Sequence, residues 1–278
     1  MLLRRYHPLL TLALGCALAG SPGRAETTLP EVWRQVTTFF TKEALWAWEK
    51  LPPPGDPLSA REQDFCRAVI LLDHQPLTES KLDEAEALLR DVAGPRDELA
   101  AAARYMLARS QQLYRQQADH AAAAAIYREL SAAPEAGPWG DLARVKLALL
   151  ELYVLPAASP RQRIATARAL LDGVVEPDAR RDLYRLLARA TLFYDLPAQA
   201  ALDDLEAAEI IGGLQGQPHA DQLVQLFELS LEFGRRESAA RYLEKLRAEH
   251  PRDVRAWALN EKLAGRPAPV RATFSHDP

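Results

Sequence analysis

LVQLFELSLEFGRRESAARYLEKLRAEHP, residues 223–251, is the stretch from which the fold is read. Leu223, Leu226 and Phe227 recur at three and four, which places them on one face of a helix. Gly234 interrupts that pattern. Ala239, Leu243 and Leu246 then repeat it, and Pro251, which lacks an N–H and clashes with the preceding turn, stops it. The segment is a helical hairpin. A small residue at Ala239 lets the two helices approach closely, while the larger residues that follow fill the groove left by a neighbouring pair.

The same order, a small residue, a large apolar residue four on and another apolar residue three further, occurs five times: Ala85-Leu89-Val92, Ala123-Tyr127-Leu130, Ala167-Leu171-Val174, Ala201-Leu205-Ala208 and Ala239-Leu243-Leu246. Successive alanines are 38, 44, 34 and 38 residues apart. Periods of this length mark stacked helical hairpins. Helix breaks are expected at 51–57, Gly94-Pro95, 134–138, 155–160, Glu176-Pro177, Leu196-Pro197, 212–218 and Pro251, where proline and glycine cluster. Pro160, Pro177-Asp178 and Thr78 open helices on the same reasoning. No strand-length alternation occurs, so the expected class is all-α, with about twelve helices.

Residues 223–251, with Trp257 at the interval where another unit would begin, and a second copy carrying Leu107, Tyr114, Ala123, Tyr127 and Leu130, resemble tetratricopeptide repeats. The other three copies match on the second helix only, and the 44-residue interval requires a longer connection at 155–160. The resemblance implies a right-handed α-solenoid of about five to six stacked helix-turn-helix repeats, whose first helices line a concave binding face. On that register the lining includes Tyr105, Gln112, Arg115, Asp221 and Glu228, a mixed-charge set suited to peptide recognition. Terminal units of such stacks are atypical because they cover apolar faces. A cap helix is accordingly expected within residues 31–49, and Ala256 to Leu263 would close the other end. Trp33, Phe40, Trp46 and Trp48 belong to the first cap and also form a candidate aromatic interaction surface.

Composition agrees with a folded chain. The 278 residues are 48% apolar with a formal charge of -4, which excludes a disordered tail and a polybasic nucleic-acid binder. Residues 1–25 read as a secretory signal: Arg4 and Arg5, an apolar run from Leu9 to Ala19, and the small-x-small site ending at Ala25. Cleavage at Ala19, or before a lipidated Cys16 that would tether the chain to a membrane, is an alternative. Removing the first 25 residues takes three arginines and no acid, so -4 becomes -7. Cys66 then remains as a lone cysteine inside an apolar helical pattern, where burial is expected. The expected organisation is a signal at 1–25, an aromatic cap and Pro-rich linker at 26–57, repeats over 58–264 and a tail at 265–278.

No Gly-rich phosphate loop, nucleophile elbow or His-Glu-x-x-His zinc helix occurs in the sequence. His74, His120, His219, His250 and His276 show no recognised metal spacing; His219-Ala220-Asp221 comes nearest and is read as a helix opening. Neither a metal nor a cofactor is expected. The acid pairs Asp203-Asp204 and Glu206-Glu209 are read as a solvated helix face. Arg181, Arg185 and Arg189, at i, i+4 and i+8, form a stripe that either binds an anion or is compensated by Asp203, Asp204 and Glu206 on the next helix. The functional expectation is an exported, non-catalytic scaffold that holds another envelope or secreted protein or peptide in the periplasm, where proteins similar to tetratricopeptide repeats assist envelope assembly. Alternatives are a helical-solenoid enzyme acting on cell-wall glycan and a self-associating envelope protein.

Overall fold

The computed structural model describes residues 27–265. The signal-like segment with Cys16 and the tail beyond Gly265 lie outside the described residues. Within them the chain forms thirteen α-helices and no strand: α1 (Leu29–Thr37), α2 (Thr41–Trp48), α3 (Pro57–Asp73), α4 (Glu79–Val92), α5 (Glu98–Arg109), α6 (His120–Ala132), α7 (Pro138–Tyr153), α8 (Pro160–Arg168), α9 (Pro177–Phe193), α10 (Ala198–Ile211), α11 (Gln217–Glu232), α12 (Arg236–Glu249) and α13 (Arg255–Leu263). None is long and apolar enough to cross a membrane. The residues group into two compact units, one ending at Ala143 and the other beginning at Arg144. In each, helices pack against their neighbours in sequence, as in a helical solenoid.

The first unit holds the hairpins α1/α2, α3/α4 and α5/α6. Where one cap helix was expected there are two, because Phe39 takes a left-handed conformation (φ 64°) that turns the chain after Thr38. Such a conformation is uncommon for a residue with a Cβ, and no glycine or proline marks it. Side-chain caps fix the later starts: Asp56, Thr78, Asp97 and Asp119 each accept from backbone N–H groups at the head of α3, α4, α5 and α6, satisfying donors that the first turn leaves free. Cys66 is fully buried, and burial pushes its thiol up to about 12, so it behaves as a small hydrophobe. A π-helical turn, Ser110–Tyr114, extends α5 and buries Ser110 and Gln112.

The repeat register coincides with the hairpins. Ala85, Ala123, Ala167, Ala201 and Ala239 lie on α4, α6, α8, α10 and α12, the second helix of each pair, and all are 0% exposed. The larger residues that follow them are buried too, except Leu171, which sits half-buried in a 3₁₀ turn (Ala169–Leu171) that ends α8 early. In the second unit Ala148 and Leu152 of α7, Ala167 of α8 and Leu183 and Leu187 of α9 form one core. Leu205, Leu226, Phe227, Leu243, Leu246 and Leu259 belong to another. Gly234 supplies the positive φ (71°) that the tight α11/α12 turn needs. Leu259 packs α13 onto that core, whereas Trp257 is 58% exposed, so α13 is the last helix among the described residues and Trp257 points away from its core.

Polar contacts carry a similar period. Arg61 pairs with Asp97, Arg115 with Glu79, Arg168 with Asp204 and Lys245 with Glu209, each 36 residues apart; Arg255 and Asp221 pair at 34. Asp97 illustrates the effect on acid stability. Arg61 donates to it from Nη1 at 2.7 Å and Nη2 at 3.0 Å, and the Ala100 N–H adds 2.8 Å. The Arg61 hydrogen bonds outweigh partial burial and hold the carboxyl at about 2. A carboxylate depressed in the folded state contributes stability above its unfolded pKa of about 3.9 and loses it as the folded group protonates. Urea denaturation should therefore show stability draining between pH ~4 and ~2, with a shallower acid slope in Asp97→Asn; an unchanged slope would remove Asp97 from the account.

Candidate functional site

Helix α5 packs against α3, α4 and α6, and Ala100, Ala101, Ala102 and Ala103 are all buried. A helix buried all round offers no groove face. Tyr105 is accordingly core, its ring 5.7 Å from that of Tyr127 and 5.4 Å from that of Trp139. Gln112 is buried beside it and accepts from the Tyr127 hydroxyl at 3.0 Å. Neither lines an open surface. Arg115 is partly exposed but committed: it donates to both oxygens of Glu86 (3.1 and 2.7 Å), to Glu79 (3.0 Å) and to Asp83 (2.9 Å). Glu86, 1% exposed, also accepts from Ser110 at 2.6 Å and Gln111 at 3.1 Å. Asp221 and Glu228 of α11 are likewise spoken for, by Arg255 at 2.7 Å and by Lys262, so they fasten α13.

Two of the three stripe arginines meet acids of their own helix. Arg181 is buried and donates to Asp178 at 2.5 Å, Asp182 at 2.9 Å and the Gly212 carbonyl at 3.1 Å. Arg185 stands 4.0 Å from Asp182; burial lowers its pKa, and the neighbouring Arg181 and Arg189 charges add to that. Arg189 is exposed. The three therefore do not form one open anion groove. The acids expected to neutralise them have other partners: Asp203 accepts from Gln199 at 2.6 Å, Glu206 lies 3.6 Å from Arg235, and Asp204 takes both Arg168 guanidinium nitrogens at 2.9 and 2.6 Å. Asp204 is thus buried rather than solvated, and Glu206 is half-buried.

The four aromatic residues divide into two roles. Trp33 lies 5.9 Å from the Phe65 ring, and Trp48 donates to the Gln63 carbonyl at 2.9 Å beneath the Arg67 guanidinium. Those two anchor the cap hairpin to α3. Phe40 and Trp46 stay exposed, together with Phe39.

One constellation was not read from the sequence. His219, the third residue of α11, is buried, and its Nε2 lies 3.2 Å from Glu209 Oε1. Its Nδ1 faces His250 Nε2 at 3.1 Å and Glu249 Oε2 at 3.4 Å. Glu209 is in turn held by Lys245 at 2.6 Å and Gln222 at 2.7 Å. Burial would raise the Glu209 pKa, but these hydrogen bonds and that from His219 prevail and lower it. Beside His250 opens a shallow cleft of about 610 Å³ lined by Gln217, Pro251, Arg252, Asp253 and Arg255. Among the described residues, His219, Glu249 and His250 are the one set of three His, Cys or acidic side chains whose donor atoms all lie within 4.8 Å of one another. The signal lies in hairpin symmetry: His219 and Glu249 are each 15 residues from Gly234, so antiparallel helices bring them level. His219 was read as a helix opening, yet its ring points across the hairpin.

Comparison with known protein families, with curated proteins and with solved structures finds no match to the chain. The Arg168–Asp204 pair tests whether these buried acids act as fasteners. Asp204 is 3% exposed, and burial raises its pKa against the pull of Arg168. Arg168→Leu should cost about 3 kcal/mol in urea denaturation by stranding the carboxylate, and adding Asp204→Leu should recover most of it. Equal stability of single variant and parent would contradict that role.

Proposed function

We propose that the protein is an exported scaffold similar to tetratricopeptide-repeat proteins, one that binds another envelope or secreted protein in the periplasm and performs no catalysis. The observation that carries this reading is the exposure of three aromatic rings within eight residues of the ordered α1/α2 hairpin: Phe39 at 68%, Phe40 at 57% and Trp46 at 64%. Large apolar groups held in water by a packed hairpin suit the anchors of a protein interface, where aromatic residues dominate binding energy. The partner on this reading presents an apolar segment. A scaffold also suits the acids: Glu86, Asp204 and Glu209 are each neutralised by a cation from another segment, an arrangement that favours packing over proton transfer. Export rests on the signal-like pattern at 1–25, with lipidation at Cys16 as its variant.

Affinity capture from the native envelope fraction tests the proposal. A discrete protein partner should be retained by the parent chain and lost with Phe40→Ala/Trp46→Ala, and the mature chain should start at Glu26. Equal capture by both chains would remove the aromatic surface as the anchor. Hydrolysis of cell-wall glycan that is abolished by Asp221→Asn or Glu228→Gln would overturn the non-catalytic reading.

A further inference from the structure

Both nitrogens of His219 face carboxylates, Glu209 Oε1 at 3.2 Å and Glu249 Oε2 at 3.4 Å. A neutral imidazole has one N–H and can donate to only one of them. When Nε2–H donates to Glu209, the Nδ1 lone pair is turned toward the Glu249 carboxylate, which Lys245 approaches only to 3.8 Å. His250 brings a further nitrogen to the same point, 3.1 Å from His219 Nδ1. Without an ion the two rings share at most one hydrogen bond, from His250 Nε2–H to His219 Nδ1, and Glu249 is left to Lys245 at 3.8 Å. A metal ion uses all three.

Two of the three separations between these donor atoms fit a tetrahedral zinc site. With zinc bonds of about 2.0–2.1 Å at tetrahedral angles, ligand atoms stand about 3.3–3.4 Å apart. The separations of 3.1 and 3.4 Å around His219 Nδ1 bracket that edge. Two imidazoles and a carboxylate are a zinc donor set, and a zinc-bound histidine characteristically gives its other ring N–H to a carboxylate. Glu209 occupies that outer position, fixed by Lys245 and Gln222. We propose that His219 Nδ1, His250 Nε2 and the Glu249 carboxylate bind one zinc-like divalent cation, with Glu209 orienting the His219 ring. The ion joins the start of α11 to the end of α12, closing the hairpin opposite its turn at Gly234. Three protein donors leave a fourth tetrahedral position for water or for a donor from a bound partner. The site goes beyond the scaffold reading and stands without it.

The test uses the full chain without a polyhistidine tag, stripped of metal, titrated with ZnCl₂ by calorimetry and with Co²⁺ by visible absorption. One equivalent of Zn²⁺ should bind saturably, and Co²⁺ should give the intense bands of a four-coordinate ion. His250→Ala and Glu249→Gln should each weaken binding by at least about tenfold, and Glu209→Gln, which keeps all three donors, by about 10–100-fold. Helical circular dichroism verifies that each variant folds; if His250→Ala does not, Glu249→Gln at its exposed position carries the comparison. Absence of saturable uptake, with His219 titrating as an imidazolium in the nuclear magnetic resonance spectrum, would overturn the proposal. So would uptake unaltered by Glu249→Gln and Glu209→Gln.

Discussion

On the second helix of each of five hairpins an alanine methyl group is fully buried, where a larger side chain would have to displace its neighbours. Ala85, Ala123, Ala167, Ala201 and Ala239 are wholly buried, and their smallness sets how near the helix backbones can come. Interiors are packed to crystal-like density, so a contact of this kind fixes the placement of everything around it. The larger residues four and seven positions later, such as Leu89 and Val92 or Leu243 and Leu246, then fill the space beside that contact. Gly140 expresses a related constraint at the head of α7, where a Cβ would meet the Leu130 carbonyl at 3.1 Å. Close approach, rather than the abundance of large apolar residues, is what the alanine-rich composition serves.

Charge follows the same spacing. Pairs 34 or 36 residues apart, from Arg61–Asp97 to Arg255–Asp221, tie one hairpin to the next segment along the chain. Several join a sheltered acid to a more exposed base, as in Arg168–Asp204 and Lys245–Glu209. Such pairs contribute little net stability against an apolar alternative, but an acid left without its base is costly. They penalise a slip between helices more than they reward contact. Arg115, Asp221 and Glu228, assigned to a binding groove, each meet an acid or base of their own chain while Asp221 and Glu228 stay partly open to solvent.

Much of this was legible in the residues. The Ala-x-x-x-Leu-x-x pattern located the second helix of five hairpins, though not α2 of the cap, and proline and glycine placed most of the breaks. Phe39 was not legible, because its left-handed turn carries no glycine signal. Groove residues were not legible either: each position on a helix turns by about 100°, so a resemblance confined mainly to second helices leaves the faces of first helices undetermined. Tyr105 and Gln112 show the consequence, both landing inside the first unit. The His219, Glu249 and His250 cluster escaped because metal motifs are sought at short spacing, whereas a hairpin joins residues by their equal distance from its turn. Counting outward from Gly234 would have found it.

Replacing each of the five buried alanines with leucine, and comparing the variants with leucine at the exposed helix positions Ala125, Ala200 and Ala248, measures the governing constraint directly. Leucine and alanine are both good helix formers, so propensity nearly cancels. Urea denaturation should show losses of about 1–3 kcal/mol or more at all five buried sites from overpacking, and near-parent stability at the three controls. Parent-like midpoints at the buried sites would mean that close helix approach at these alanines does not hold the hairpins together.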